Sequence, residues 1–377
     1  MVEHTAVLER HPQLYFSDGD VVLAAKVSST TSSESRPTYQ LCRVHRPVLR
    51  HNSTVFANLF ADAAPGELYD DVPLVEMIGD TAEALASLLT FIYNPSDVNV
   101  RRWDPDTPIA VSPTVRIANK YLVDALHGYL VRKVKEDWPL TLEDWDRREA
   151  EIEAMRHAEY TSGPRPSSSK PLAQAVPEPA AAIRFALEFG CPEILPAAFY
   201  QLARTDVGKD WDEPRSYSVS RDTPARWSLL EAPDLLRCLR GAKKISYHTA
   251  SVMSDDTFTE ILGPHSCLPW WENAGFPGDV RDEVDGERRS EDYPCYVLLR
   301  SILSRVDREV SPGVRDPLKA LKDCKDYENK PQDLPKPPVR SLCVLCDSNL
   351  RRWVPKTRQE LWQMLPRYFE VPTATST

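Results

Sequence analysis

The stretch RVHRPVLRHNSTVFANLF, residues 43–60, decides how the first part of this chain is expected to fold. Its apolar residues recur at helical spacing, and Pro47 suits the first position of a helix. Asn52 and Ser53 interrupt the pattern, because residues of this type end one helix and cap the next. The stretch therefore predicts two short consecutive helices. Their apolar positions are Val48, Leu49, Val55, Phe56, Leu59 and Phe60.

Short apolar runs on both sides of this stretch predict three strands. DGDVVL at 18–23 is a turn followed by a strand over 21–25, and YQLCRV at 39–44 and VPLVEM at 72–77 have the length of strands. Helical signals follow. Asp80 with Glu83 resembles a capping box, Ser112-Pro113 indicates a second helix start, and Asp124 indicates a third.

The rest of the chain predicts helices separated by loops. Thr141 caps a charged helix that ends near residue 160, and Pro, Ser and Gly over 161–177 predict a disordered linker. Further helices are expected to begin at Pro179, at Cys191-Pro192, at Pro233 and at Pro294, and the first of them ends at Gly190. The last helix is expected to be capped by Thr357, with Glu360 three residues later.

Taken together, these stretches resemble the BTB/POZ domain family over residues 14–137. The resemblance is carried by DGDVVL at 18–23, RVHRPVLRHNSTVFANLF at 43–60, TAEALASLLTFIYNP at 81–95 and TVRIANKYLVDALHGYLVRKV at 114–134. It implies an α+β fold in which a short sheet is flanked by helices over 1–137. A helical extension over 138–160, the linker over 161–177 and a mainly helical domain over 178–377 are expected to follow.

Two further stretches, DWPLTLEDWD at 137–146 and LWQMLPRYF at 361–369, resemble BTB proteins that are common in basidiomycete fungi. The BTB resemblance implies a non-catalytic protein–protein interaction scaffold or adaptor. The alternatives are a transcriptional regulator and a substrate adaptor of cullin-3 ubiquitin ligases. Such adaptors usually carry a hydrophobic-x-Glu element in the loop that corresponds to 94–111, and this chain has none. No DNA-binding zinc finger or basic helix accompanies the domain.

Charge and composition limit the partners and the cellular compartment that we expect for the protein. The net charge of −10 argues against nucleic acid as a partner, because a surface of that sign repels phosphates. The first residues lack the apolar region of a secretory signal, and no apolar stretch is long enough to span a membrane. Eight cysteines scattered along the chain indicate reduced thiols. We therefore expect a cytoplasmic or nuclear protein that is not secreted.

No common catalytic or phosphate-binding motif occurs, so we expect no enzyme activity, no catalytic residues and no bound organic cofactor. An active site assembled from distant residues is the remaining alternative. His45 has two interpretations, a metal ligand or base and a hydrogen-bonded histidine at the start of a helix. Asp18 and Asp20 fit a turn better than a calcium site, which needs six to eight oxygens.

The pair Cys343 and Cys346 has the C-x-x-C spacing of a zinc site. Zinc needs further ligands, and the usual second C-x-x-C pair is missing. His265 and Cys267 are the nearest candidates, with Cys295 and Cys324 as substitutes. The alternative interpretation is two buried free cysteines.

Three consecutive large residues, Leu14, Tyr15 and Phe16, precede the Asp18 turn. They cannot all face one core from a strand, because alternate side chains point to opposite faces. We therefore expect at least one of them to cover another surface, either a second copy of the chain or the chain's own C-terminal half. In the BTB family a two-fold interface is formed by the N-terminal segment and the first helices. The resemblance implies an interface here that also includes Val48, Phe56 and Leu59.

Overall fold

A computed structural model describes residues 6–28, 36–61, 67–161, 172–211, 223–263, 294–309, 316–329 and 341–371. Within these ranges the protein is α+β, as expected, with a five-stranded sheet in its N-terminal part and helices elsewhere. The chain divides into two compact units, residues 1–137 with 174–177, and residues 138–173 with 178–377. None of the described helices is long and apolar enough to cross a membrane.

The first unit contains the sheet. Its strands are β1 (Val7–Tyr15), β2 (Val21–Lys26), β3 (Thr38–Val44), β4 (Leu68–Tyr69) and β5 (Val72–Thr81), in the spatial order β1-β3-β2-β5-β4. The β2–β3 pair is antiparallel, whereas the β1–β3 and β2–β5 pairs are parallel. One face of the central strands buries Val22, Ala24, Tyr39 and Leu41 in a common cluster. Side chains of alternate residues share that face, as strand geometry requires.

The helices of the first unit are α1 (Arg46–Asn52), α2 (Thr54–Ala61), α3 (Ala82–Tyr93), α4 (Thr107–Lys120) and α5 (Asp124–Glu136). The predicted break between α1 and α2 is confirmed, because the Ser53 hydroxyl accepts a hydrogen bond from the Phe56 backbone N–H. The predicted cap of α3 is wrong by one residue. Thr81 caps the helix, since its side chain accepts from the Ala84 N–H.

Helix α4 begins earlier than the sequence predicts. It starts at Thr107 with Pro108 in its first turn, so the Ser112-Pro113 pair lies inside the helix instead of opening it. Both prolines are preceded by residues that can begin a helix, and the local signal does not distinguish them. The burial of Thr107, Pro108 and Val111 explains why the earlier start is favoured.

The second unit is helical in its described parts. Its helices are α6 (Leu142–Thr161), α7 (Pro179–Phe189), α8 (Leu195–Arg204), α9 (Ala232–Ala250), α10 (Asp255–Leu262), α11 (Pro294–Glu309), α12 (Pro317–Asp323) and α13 (Val344–Tyr368). The predicted end of α7 is confirmed, because Gly190 adopts a left-handed φ of 69°. The predicted start of the last helix at Thr357 is wrong. Helix α13 begins after Cys343, and Thr357 is buried within it.

Helix α6 packs in the core of the second unit. The Trp145 ring is buried, with its centroid 5.2 Å from the Tyr200 ring and 5.6 Å from the Trp362 ring. The helix expected as an extension over 138–160 is therefore an integral part of this unit. The polar composition of α6 did not indicate this role, because only a few of its apolar side chains pack in the core.

The linker predicted over 161–177 is only partly within the described residues. Residues 162–171 lie outside them. Residues Leu172–Gln174 form a short 3-10 turn, and Val176 is buried. The prediction of disorder does not hold for this last part of the segment, because its residues form a turn and bury the Val176 side chain.

Candidate interaction surface and cysteine cluster

Helix α1 begins against an acidic side chain from the turn before β2. The Asp20 carboxylate accepts hydrogen bonds from the Arg46 backbone N–H at 2.7 Å and from the Arg46 Nε at 3.1 Å. Partial burial raises the pKa of Asp20, but these hydrogen bonds outweigh it and hold the pKa below its usual value. Asp20 thus supplies the cap that the His45 side chain does not provide.

His45 lies between a carboxylate and a phenol. Its Nε2 is 3.3 Å from the Asp18 Oδ1, its Nδ1 is 3.1 Å from the Tyr93 hydroxyl, and its backbone N–H donates to the same hydroxyl at 2.8 Å. The Phe16 ring lies 4.8 Å from the Tyr93 ring and 5.4 Å from the imidazole. Of the two interpretations of His45, this geometry favours the hydrogen-bonded histidine at a helix start.

The same cluster has the outline of a carboxylate–histidine–hydroxyl chain, which sequence spacing did not reveal. Burial raises the pKa of the Tyr93 phenol above its usual range. Activation of a phenol as a nucleophile is favoured by the opposite shift, a lowered pKa. Asp18 and Asp20 each contact a protein group, His45 and Arg46 respectively, and do not face a common cation.

The motif Ala118-x-Lys120-Tyr121 joins the end of β5 to the last helices of the first unit. The Lys120 Nζ contacts both Asp80 carboxylate oxygens at 2.8 Å, and the Tyr121 hydroxyl donates to Asp80 Oδ2 at 2.6 Å. The Tyr121 ring stacks on Phe56 with a centroid distance of 4.5 Å. The Ser53 hydroxyl donates to the Tyr121 carbonyl. These contacts give the motif a structural role in this chain.

Strand β1 forms one edge of the sheet. It pairs with β3 on one side, and within the described part of the chain no strand pairs with its other side. Val7 and Leu8 are 42% and 37% exposed although both are apolar. The pairing with β3 is interrupted after Arg10, where the His11 Nδ1 accepts from the backbone N–H groups of Gln13 and Leu14 at 3.1 Å each. The regular part of this edge is therefore short.

The sheet curls so that β1 meets the turn between β4 and β5. Asp70 in that turn accepts hydrogen bonds from the Arg10 guanidinium and from the Tyr15 hydroxyl, each at 2.6 Å. The Arg10 guanidinium also lies over the Tyr15 ring, 4.7 Å from its centroid. Burial and the Asp70 carboxylate raise the pKa of Tyr15 to about 12.

The residues predicted for a dimer interface fall into two groups. Leu14 and Phe56 are buried within the first unit, so the prediction that they contact a partner is wrong. Leu14 lies where β1 resumes its pairing, and Phe56 fills the space beneath Tyr121. The other four residues, Tyr15, Phe16, Val48 and Leu59, are partly exposed.

Tyr15 and Phe16 were expected to pack on a second copy or on the C-terminal half. Their described contacts lie within the first unit, where Tyr15 meets Asp70 and Phe16 meets Tyr93. Because both side chains remain partly exposed, they are still available at the rim of a larger surface.

The structure brings three cysteines together in the second unit. The sulfurs of Cys295, Cys343 and Cys346 all lie within 4.8 Å of one another, and all three residues are buried. Cys324, named as another substitute ligand, instead has its sulfur near the Ile302 and Ala320 carbonyls. The predicted ligands His265 and Cys267 lie outside the described residues. The spacing indicated Cys343 and Cys346, whereas no local signal distinguished Cys295 from Cys324.

Comparison with known proteins adds no relative to these observations. Neither a protein-family model nor a curated protein matches the chain. Function is therefore inferred from the surfaces and side chains of the molecule itself.

Proposed function

We propose that this protein is a non-catalytic scaffold or adaptor that binds other proteins, and a second copy of itself, through a BTB/POZ-type domain at residues 1–137. The observation that carries the proposal is the outer edge of β1. Among the described residues no strand pairs with this edge, which carries the exposed side chains of Val7 and Leu8. Such an edge is a template for strand addition by another chain.

The side chains of β1 fit a two-fold arrangement. If two copies of β1 pair in antiparallel fashion about a two-fold axis at Leu8, the two exposed Leu8 side chains lie opposite each other. Apolar side chains that lie opposite each other stabilise a strand pair, and an isologous contact of this kind closes after two copies. The interruption at His11 and Pro12 limits the added strand to the first half of β1.

The non-catalytic part of the proposal is supported by four polar side chains of the first unit. Asp20, His45, Tyr93 and Asp80 are engaged in hydrogen bonds that fix helix starts and strand ends. Groups used in this way hold the domain together and leave its edge and rim for binding. A screen for hydrolase, transferase and oxidoreductase activity should show no turnover that one point substitution abolishes in the folded protein.

Self-association is tested by sedimentation of the full chain. The wild-type protein should be a dimer at micromolar concentration, and Leu8→Asp should convert it to a folded monomer, because a charge on the edge opposes strand addition. The matched control is Ile78→Asp, which changes a side chain that is 79% exposed in the same unit but not on β1. That variant should remain dimeric. A wild-type monomer, or equal dissociation by both variants, would refute the edge as the interface.

The partner class is tested by affinity purification from the native cell. Recovery of cullin-3 would support the adaptor alternative, and recovery of chromatin proteins would support the transcriptional alternative. The Leu8→Asp variant identifies which of the recovered proteins depend on the β1 edge.

A further inference from the structure

Three buried sulfurs converge at the starts of two helices in the second unit. Cys343 is the N-cap of α13, Cys346 lies in its first turn, and Cys295 is the second residue of α11. Their exposed fractions are 0–1%. Four sulfurs around a tetrahedral zinc are about 3.8 Å apart, which follows from a Zn–S distance near 2.3 Å. The observed separations of at most 4.8 Å need only a small contraction.

Backbone donors already point at two of these sulfurs. The Cys343 N–H donates to the Cys295 sulfur at 3.3 Å, and the Cys346 N–H donates to the Cys343 sulfur at 3.5 Å. N–H donors that face a sulfur suit the form of the sulfur that binds a metal. The pattern links residues that are 48 positions apart, so it does not follow from the C-x-x-C spacing alone.

Cys42 shows how a buried thiol differs when these features are missing. It lies in β3, and burial raises the pKa of its thiol to about 12. A thiol in that setting stays protonated and packs as a small apolar side chain.

We propose that Cys295, Cys343 and Cys346 bind one Zn²⁺ ion, which fixes the start of α11 against the start of α13. Thiolate sulfur is the donor that zinc prefers in structural sites, and three such ligands leave one tetrahedral position for a fourth. The role is structural, because the three sulfurs are buried and offer a substrate no access. The site belongs to the second unit, so it is independent of the interaction surface on the first.

The test begins with the metal content of the purified full chain, measured by elemental mass spectrometry. Wild-type protein should contain about one zinc per chain, as expected for a single closed site. Cys295→Ser, Cys343→Ser and Cys346→Ser should each lose most of it. Cys324→Ser is the matched control, since Cys324 is equally buried in the same unit but lies outside the cluster. This variant should keep its zinc.

A second measurement uses only wild-type protein, in case a serine variant fails to fold. Zinc should protect Cys295, Cys343 and Cys346 from alkylation, and a chelator should remove this protection and lower the thermal stability. Cobalt added to the metal-free chain should produce thiolate-to-cobalt charge-transfer absorption. Folded wild-type protein that contains no zinc, that contains copper instead, or that has a Cys343–Cys346 disulfide would overturn the proposal.

Discussion

At the scale of single residues, the second unit depends on an ion pair between helices that are far apart in sequence. The Arg358 guanidinium is buried and binds both Asp146 carboxylate oxygens, at 2.6 and 2.9 Å. Its Nε donates to the Leu318 carbonyl at 2.9 Å. Burial raises the pKa of Asp146, but hydrogen bonds and charges from Arg358 and Lys322 outweigh it and lower the pKa below its usual value.

This pair predicts an acid-sensitive contribution to stability. Because the pKa of Asp146 is lower in the folded chain, the unfolded chain binds the proton more tightly. The contribution is therefore present above the ordinary aspartate pKa of about 3.9 and is lost as the pH falls through the folded pKa. Asp146→Asn should lower the free energy of unfolding by about 2–3 kcal/mol at pH 7, since Arg358 then stays buried without its charge partner.

The measurement is urea denaturation of the full chain between about pH 7 and about pH 3, the window set by that ordinary pKa. The loss caused by Asp146→Asn should shrink as the pH falls. The control is Glu143→Gln. The Glu143 side chain lies on the same helix, is 87% exposed and pairs only loosely with Arg147. This variant should change stability by less than about 0.5 kcal/mol. A pH-independent loss would contradict the assignment to the ion pair.

At the scale of elements, helix α9 approaches the end of α13 through a glycine. A Cβ atom at Gly241 would lie 2.0 Å from the Phe369 ring, closer than any real contact. Phe369 cannot easily move, because it is fully buried and its ring stacks on Phe199 with a centroid distance of 5.5 Å. Glycine is normally unfavourable inside a helix, so its presence here follows from packing.

Two substitutions separate this packing requirement from helix propensity. Gly241→Ala should destabilise the second unit by about 1–3 kcal/mol, because the added methyl overpacks a filled core. Gly128→Ala in α5 should instead stabilise the first unit by about 0.5–1 kcal/mol, since nothing lies within 4 Å of its added methyl. Thermal denaturation of each variant checks both signs. If both substitutions stabilised the protein, the Phe369 ring would be able to move away from the methyl group added at position 241.

Elements with strong local signals could be predicted from the sequence. The α1–α2 break at Ser53 and the end of α7 at Gly190 each depend on neighbours within a few positions. Strand β1 was missed, because VLERHPQLY contains a proline and its exposed residues show no apolar alternation. The beginning of α13 was missed because Thr357 with Glu360 has the pattern of a helix start, although Thr357 lies inside the helix.

The candidate sites show the same division between local and distant information. The C-x-x-C spacing drew attention to Cys343 and Cys346, but Cys295 joins them only through the packing of α11 and α13. The exposed edge of β1 could not be predicted, since strand order is a property of the whole sheet. Spacing along the chain does not indicate such contacts. The ion pair of Asp146 and Arg358, which are 212 positions apart, is another example.

At the scale of the whole molecule, the boundary between the two units lies at Asp137 and Trp138, ahead of helix α6. The segment predicted as a linker comes after α6. A cut there would therefore leave one helix of the second unit attached to the first. The choice of boundary decides whether a truncated form of the second unit keeps α6. This matters because α6 contributes Trp145 and Asp146 to the core of that unit.

Two fragments that differ only at this boundary test the assignment. The fragment 138–377 retains α6 and should fold cooperatively, whereas 178–377 should be largely unfolded or aggregated. Without α6, the Arg358 guanidinium loses its carboxylate, and Tyr200 and Trp362 lose the Trp145 ring between them. Adding α6 back as a separate peptide should restore structure to 178–377, and a peptide with Trp145→Ala should not. Circular dichroism with urea denaturation measures both effects. If 178–377 alone were as stable as 138–377, helix α6 would be an extension after all, and the boundary would move to the segment that follows it.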